Sequence, residues 1–340
     1  VSMLWYTAGP AASGKEEALV EAGATGVRLG FSYDAYEVHE RTALTFKKYA
    51  DRNDVSSIVV ADLPGEKFRL GRFDEGLSVK LEAGKSLRLV HGARSDVAVS
   101  RELPVTDQAF FANLSVGDHV VVGDGGALLV VDAIGADLRS AMVHLAASGT
   151  VEQSRGLTIQ GGGYVPRSLC KKDLAAIDFI ANSGCFDAVA LSFASNDADI
   201  HDLRDLLAKR APHLKIVAKI ETMRGIERLD SICAVSDFVM AARGDLALSA
   251  HWAELPFYVE KIAQAAVQAD VPWVLATQLV EGLERFSIPT RAEICDIWHW
   301  LDSGCAGLML SYESAFGSKP VEAVRVVRTI ADRWKSLRMR

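Results

Sequence analysis

The sequence contains no CxxC pair. Its five cysteines, Cys170, Cys185, Cys233, Cys295 and Cys305, are scattered and odd in number. This argues against a zinc ribbon, a dithiol redox motif or a disulfide framework, and a reducing cytoplasmic setting is expected. No apolar run reaches the roughly 18 residues of a membrane span. The N-terminus also lacks the charged, apolar and small segments of a secretory leader, so no membrane partner is expected. Positive charge is in deficit, with 37 Lys and Arg against 44 Asp and Glu and a net charge of −7. A broad phosphate-binding surface is therefore missing and no nucleic-acid partner is expected. An anionic ligand would need a local cluster of cations.

What the chain does have is apolar material, 49% of 340 residues, enough for more than one minimal core. It is arranged in a rhythm. Short apolar runs, MLWYTAG, GVRLGFS, SSIVVADLP, AVALSF, KIVAKIE, DFVMAARG, WVLATQ and GLMLS, alternate with amphipathic segments such as AYEVHERTALTFKKYADRN, KKDLAAIDFIANSG and RAEICDIWHWLDSG. Near-continuous apolar strands joined by helices are the mark of parallel sheets covered on both faces. Eight such units argue for an α/β fold, a (β/α)8 TIM barrel.

One connection breaks the rhythm. The third strand ends near Asp62, yet its helix begins only near Lys171, whereas such loops usually hold about 2 to 6 residues. The intervening LSVKLEAG, HVVVGDGGALLVV and AMVHLAA are β-branched and glycine-rich, which predicts a small all-β domain inserted after strand 3. The expected organisation is a barrel over 3–70 and 155–340 with an inserted β lid over 71–154. GDGGA at 123–127 reads as a hairpin connection, because no helix follows it.

Barrel enzymes keep their chemistry at the C-terminal ends of the strands, and here nearly every end is polar. In order these are Arg28, Gly30 and Ser32; Asp62, followed by Lys67 and Arg69; Ser192; Lys219 and Glu221; Arg243, Gly244 and Asp245; Thr277 and Gln278; Ser311 and Glu313. In VAKIETMRG the period-two alternation of a strand sets Lys219 and Glu221 on one face. Opposite charges on an inner face call for a ligand. Glu221 and Asp245 are hard oxygen donors suited to Mg2+ or Mn2+, and Lys219, Arg28 and Arg69 supply the positive charge that a phosphoryl group needs. The turn at Gly244 offers backbone N–H groups to a substrate carboxylate.

VAKIETMRGIERLDSICAVSDFVMAARGDLALS, VLATQLVEGL, PTRAEICDI and LMLSYESAFGSKPVEAV, with TAGPAASGKEEALVEAGATGVRLGFS at the start, resemble the pyruvate kinase family. That family carries KIE, ARGDLG, ATQML, PTRAE, MLSGETA and TIGPAS. The resemblance runs to about Ile330 and implies a short form without the C-terminal effector domain. It implies a cytoplasmic, glycolytic phosphotransferase that moves a phosphoryl group between phosphoenolpyruvate and ADP, giving pyruvate and ATP. It further implies a divalent cofactor held by Glu221 and Asp245, and catalytic roles for Lys219, Arg28 and Thr277. Ser192, Gly244, Asp245, Thr277 and Arg69 would contact the substrate. Arg28, Ser32, Arg69, Asp124 and Arg155 would lie on the nucleotide side. Small-molecule substrates and a homo-oligomer are the expected partners.

The sequence also departs from the family. Gly30 and Tyr33 replace an asparagine and a histidine of VARLNFSHG, and Arg155 replaces a lysine, which keeps the charge but changes its geometry. In ADLPGEKFR, Leu63 and Lys67 stand where potassium-dependent members have threonine and glutamate. A lysine ammonium can supply the charge of the monovalent cation permanently, so activity without added potassium is expected. Trp298, His299 and Trp300 occupy helix positions where the family usually has small residues, and three consecutive rings cannot all face inward. Two alternatives stay open: a phosphoryl acceptor other than ADP, and a lyase or aldolase that uses the pyruvate enolate on the same barrel.

Overall fold

The computed structural model describes residues 3–338 apart from 33, 75 and 162–168. Eight strands form a closed parallel barrel: β1 Met3–Thr7, β2 Gly26–Gly30, β3 Ile58–Asp62, β4 Ala188–Leu191, β5 Lys215–Ile220, β6 Phe238–Ala242, β7 Trp273–Ala276 and β8 Gly307–Leu310. Each pairs with its neighbours in sequence, and β1 pairs with β8 to complete the ring. These are the eight apolar runs read from the sequence. Bulky Trp5, Phe238, Met240 and Met309 pack with small Ala188, Ala190 and Ala276 in the barrel core, the mixture of sizes that fills a narrow eight-stranded barrel.

The helices start and stop where local chemistry directs. Gly184, at φ 66°, ends Lys171–Ser183, a left-handed position that glycine takes without steric cost. At Arg291–Asp302 the Thr290 hydroxyl accepts from Glu293 N–H, and the Glu293 carboxylate accepts from Thr290 N–H at 2.7 Å. This reciprocal capping box fixes the helix N-terminus. Of the three consecutive rings on that helix, Trp300 is buried, Trp298 is half-buried and His299 is exposed.

The chain divides into two compact units. The first holds the barrel: Val1–Gly65, Arg167–Arg243 and Pro256–Arg340. The second is Glu66–Pro166 together with Gly244–Leu255, set against the 71–154 span read from composition. Pairing of Phe68–Arg69 with Gly156–Ile159 widens it at both ends. Gly161 N–H donates to Ser249 O at 3.1 Å and Gln160 Nε2 to Ala250 O at 3.3 Å, which ties in the distant segment.

The second unit is built on a seven-stranded sheet in the order Phe68–Arg69, Gly156–Ile159, His119–Val122, Ala127–Ile134, Ser140–Ala147, Ser86–His91, Glu102–Val105. Phe68, Leu89, Phe110, Phe111, Val120 and Leu129 lie in its core. The GDGGA stretch connects two antiparallel strands as a hairpin, with Val122 opposite Ala127.

Candidate active site

Lys219 is the penultimate residue of β5 and Glu221 follows the strand. Their side chains meet, Nζ to Oε1, at 3.1 Å, as expected from the alternation. The Lys219 ammonium also donates to Asp62 Oδ1 at 3.0 Å and to Ser192 Oγ at 2.7 Å. Arg28, from β2, donates through Nε to Asp62 Oδ2 at 2.7 Å. The register sets Asp62 beside Gly30 on one side and Ala190 on the other. Two cations and two carboxylates therefore alternate across the ends of β2, β3 and β5. Asp62, Glu221 and Lys219 are all buried, a placement that ionised groups tolerate only when paired and hydrogen-bonded.

The balance of charge sets the protonation states. Burial pushes the Asp62 carboxyl up, but Arg28 and Lys219 outweigh it and hold it below the usual carboxylate range. Burial likewise pushes Lys219 down, but Asp62 and Glu221 raise it above the ordinary lysine range, against a smaller opposing effect of Arg28. The result is a desolvated ammonium that stays charged, poised beside an Asp62 carboxylate that stays ionised.

Neighbouring loops fix these groups. Glu221 Oε2 accepts the Phe193 N–H at 2.8 Å, and Ser192 gives its hydroxyl proton to Leu63 O at 2.7 Å, so its oxygen faces Lys219 as an acceptor. At the end of β7, Thr277 and Gln278 both have left-handed backbones, φ 78° and 55°. Arg243 reaches the carbonyls of Ala276, Thr277 and Gln278 and pairs with Asp296. Glu313, buried after β8, accepts the Leu279 and Val280 N–H groups through Oε1 and that of Ser311 through Oε2. It thereby holds the β7 and β8 loops together.

In the second unit, Lys67 forms an ion pair with Asp245. A side chain at Gly156 would strike the Lys67 stem, since a Cβ there would lie 2.5 Å from its Cε. Glycine at 156 thus makes room for the lysine. Gly244 and Asp245 lie in the first turn of the helix Arg243–Ser249. Arg69 donates to Ser154 O at 3.2 Å. Arg155 binds Glu152 at 2.6 Å and approaches an exposed Asp124 at 3.9 Å.

Within the first unit, a cavity of about 500 Å³ is lined by Thr7, Gly9, Pro10, Arg28, Gly30 and Val38, among others. Built onto Gly30, a Cβ would come within 3.4 Å of the Arg28 guanidinium carbon. Glycine there leaves that face of Arg28 uncovered. Ser32 is exposed, and Tyr33 lies outside the described residues.

Among the described residues, no three or more His, Cys, Asp or Glu side chains are grouped to enclose a metal ion. Glu221 and Asp245 each carry hard carboxylate oxygens of the kind Mg2+ takes, one or two per ion, with water and substrate oxygens completing its shell. Three residues beyond those assigned from the sequence shape the site: Asp62, Arg243 and Glu313. All three stand at strand ends in the sequence, and that position was the signal available. Apart from Ser311, two residues before Glu313, their partners lie 33 to 157 residues away, a distance that no local pattern spans.

Comparison with known proteins agrees with this geometry. The family model "Pyruvate kinase, barrel domain" matches residues 2–324. The chain is 33% identical to a pyruvate kinase of Mycobacterium tuberculosis (strain CDC 1551 / Oshkosh) over 329 residues, 95% of this chain and 68% of that protein. It is 32% identical to the pyruvate kinase of Chlamydia pneumoniae, covering 95% of this chain and 66% of the relative. With that of Bacillus licheniformis it shares 30% identity, covering 96% and 56%. A closed eight-stranded barrel with a buried Lys219–Glu221 pair at its strand ends, matched along nearly its whole length, places this chain in the pyruvate kinase family of phosphotransferases.

Proposed function

We propose that the chain transfers the phosphoryl group of phosphoenolpyruvate to a nucleoside diphosphate, with ADP as acceptor, and releases pyruvate. The observation that carries this reading is the buried Lys219 ammonium, kept charged by Asp62 and Glu221. A desolvated, preorganised cation stabilises charge that develops in a transition state far better than a hydrated one.

Lys219 and Arg28 would neutralise the phosphoryl group in transfer, with Arg28 oriented through Nε on Asp62. The Lys219 ammonium then offsets charge on the departing enolate oxygen until carbon is protonated. Thr277 and the backbone at Gly244 and Asp245 would receive the substrate carboxylate, and Ser192 would line the site. Glu221 and Asp245 would hold Mg2+ or Mn2+, whose chemistry here is Lewis-acid polarisation of substrate oxygens. The cavity beside Arg28 would take the nucleotide, with Ser32, Arg69, Asp124 and Arg155 assigned to that side by the family resemblance. Lys67 would stand in for a monovalent cation.

A coupled assay of pyruvate release with a panel of nucleoside diphosphates tests the proposal. Turnover that depends on a diphosphate is expected, and turnover of phosphoenolpyruvate indifferent to every diphosphate would overturn it. That second outcome would favour the lyase or aldolase reading, which the replacements at Gly30 and Arg155 motivate.

A further inference from the structure

The three consecutive rings after PTRAE are not explained by the phosphotransfer reading, and one of them connects to the site. Trp300 donates through Nε1 to Asp296 Oδ1 at 2.7 Å, four residues back on the same helix. The other carboxylate oxygen, Oδ2, accepts from Arg243 Nη1 at 2.6 Å. Arg243 gives three further N–H groups to successive carbonyls: Nε to Ala276 O at 3.3 Å, and Nη2 to Thr277 O at 2.5 Å and Gln278 O at 3.1 Å.

The backbone that receives these bonds is strained. Thr277 is β-branched yet sits at φ 78°, followed by Gln278 at 55°. A β-branched residue rarely takes a positive φ, and such a conformation persists only where its surroundings over-determine it. The Trp300 ring is itself wedged at a T-shaped angle, 6.1 Å between centroids, against Trp273 at the start of β7. Both ends of β7 are thus referred to one helix.

From this geometry we infer that Trp300, Asp296 and Arg243 form a positioning relay that holds Thr277 in its left-handed conformation and so aims it at the substrate. None of the three touches substrate; they are positioning residues. Only a planar guanidinium has the donors to hold a carboxylate and three carbonyls at once. The inference rests on the reading of Thr277 as a substrate contact, and the test separates the two.

The full chain is assayed for phosphoenolpyruvate turnover as R243K, W300F, T277A, Q278G and the R243K/Q278G double variant, with the melting temperature of each. Displacement of a substrate contact by about 1 Å costs on the order of 100-fold, and R243K is expected to lose about that much in kcat with the nucleotide KM unchanged. W300F keeps an aromatic ring but loses the bond to Asp296, and is expected to lose activity by a smaller factor in the same parameter. Glycine accepts positive φ without a clamp, so Q278G should shrink the R243K loss. A purely structural role would lower melting temperatures and leave kcat and the phosphoenolpyruvate KM at parental values, which overturns the relay. Independent, multiplicative losses in the double variant overturn it as well. If T277A is impaired while R243K is not, the relay alone falls; if T277A is fully active, the reading of Thr277 falls and takes the relay with it.

Discussion

Replacing Asp62 with asparagine removes the charge that the whole strand-end row depends on. Asp62 is buried, 2% exposed, and binds Arg28 on one oxygen and Lys219 on the other. Without it Lys219 keeps Glu221 at 3.1 Å, but among the described residues Arg28 has no second carboxylate partner. Removing one partner of a buried ion pair destabilises by about 3 to 5 kcal/mol. Arg28 is about a quarter exposed and water can partly replace the lost charge, so the lower figure, about 3 kcal/mol, is expected. Urea unfolding followed by tryptophan fluorescence measures this. A second signature is kinetic. Asp62 is the larger of the two influences that raise Lys219, so the alkaline limb of the pH–rate profile should move to lower pH in D62N. Unchanged stability together with an unmoved alkaline limb would refute the argument that these charges act as one unit.

Other outcomes follow from the same geometry. Lys219→Met should abolish phosphoryl transfer by at least about 10³-fold while nucleotide binding persists, as checked by calorimetry with the nucleotide alone. Glu221→Gln should weaken Mn2+ binding at least about tenfold, read by electron paramagnetic resonance. Because the Asp62 pKa is depressed, its contribution to stability is present above the ordinary aspartate range and lost as pH falls through the lowered value. The raised Lys219 contributes below the ordinary lysine range and is lost as pH rises through its raised value, so a pH–stability profile should fall at both extremes. In a thiol titration of the native protein, exposed Cys295 should react first. Cys233, raised by burial to about 11, and Cys305, raised to about 12, should wait for unfolding.

The barrel was legible because parallel strands buried on both faces leave continuous apolar runs, and each of the eight runs is a strand. The pairing of Lys219 with Glu221 was legible for a similar reason, since period-two alternation is local. Asp62 was visible only as one polar strand end among many. Its role depends on barrel register, which sets it beside Gly30 and Ala190 and within reach of residues 34 before and 157 after it. Arg243 escaped for the same reason, because a run such as VMAARG gives no sign that its arginine turns to Asp296 and to the β7 carbonyls. The attachment of Gly244–Leu255 to the second unit depends on bonds from Gln160 and Gly161 to residues about 90 positions later. Composition cannot reveal such bonds.

Lys219, held charged among buried carboxylates, is proposed to serve phosphoryl transfer from phosphoenolpyruvate to a nucleoside diphosphate. Phosphorus NMR of the full chain with phosphoenolpyruvate, ADP and Mg2+ tests it most directly. The expected result is loss of the phosphoenolpyruvate resonance matched one for one by the γ-phosphate of ATP, absent in Lys219→Met. Phosphoenolpyruvate that stays intact, or is consumed with no nucleoside triphosphate formed, would contradict it.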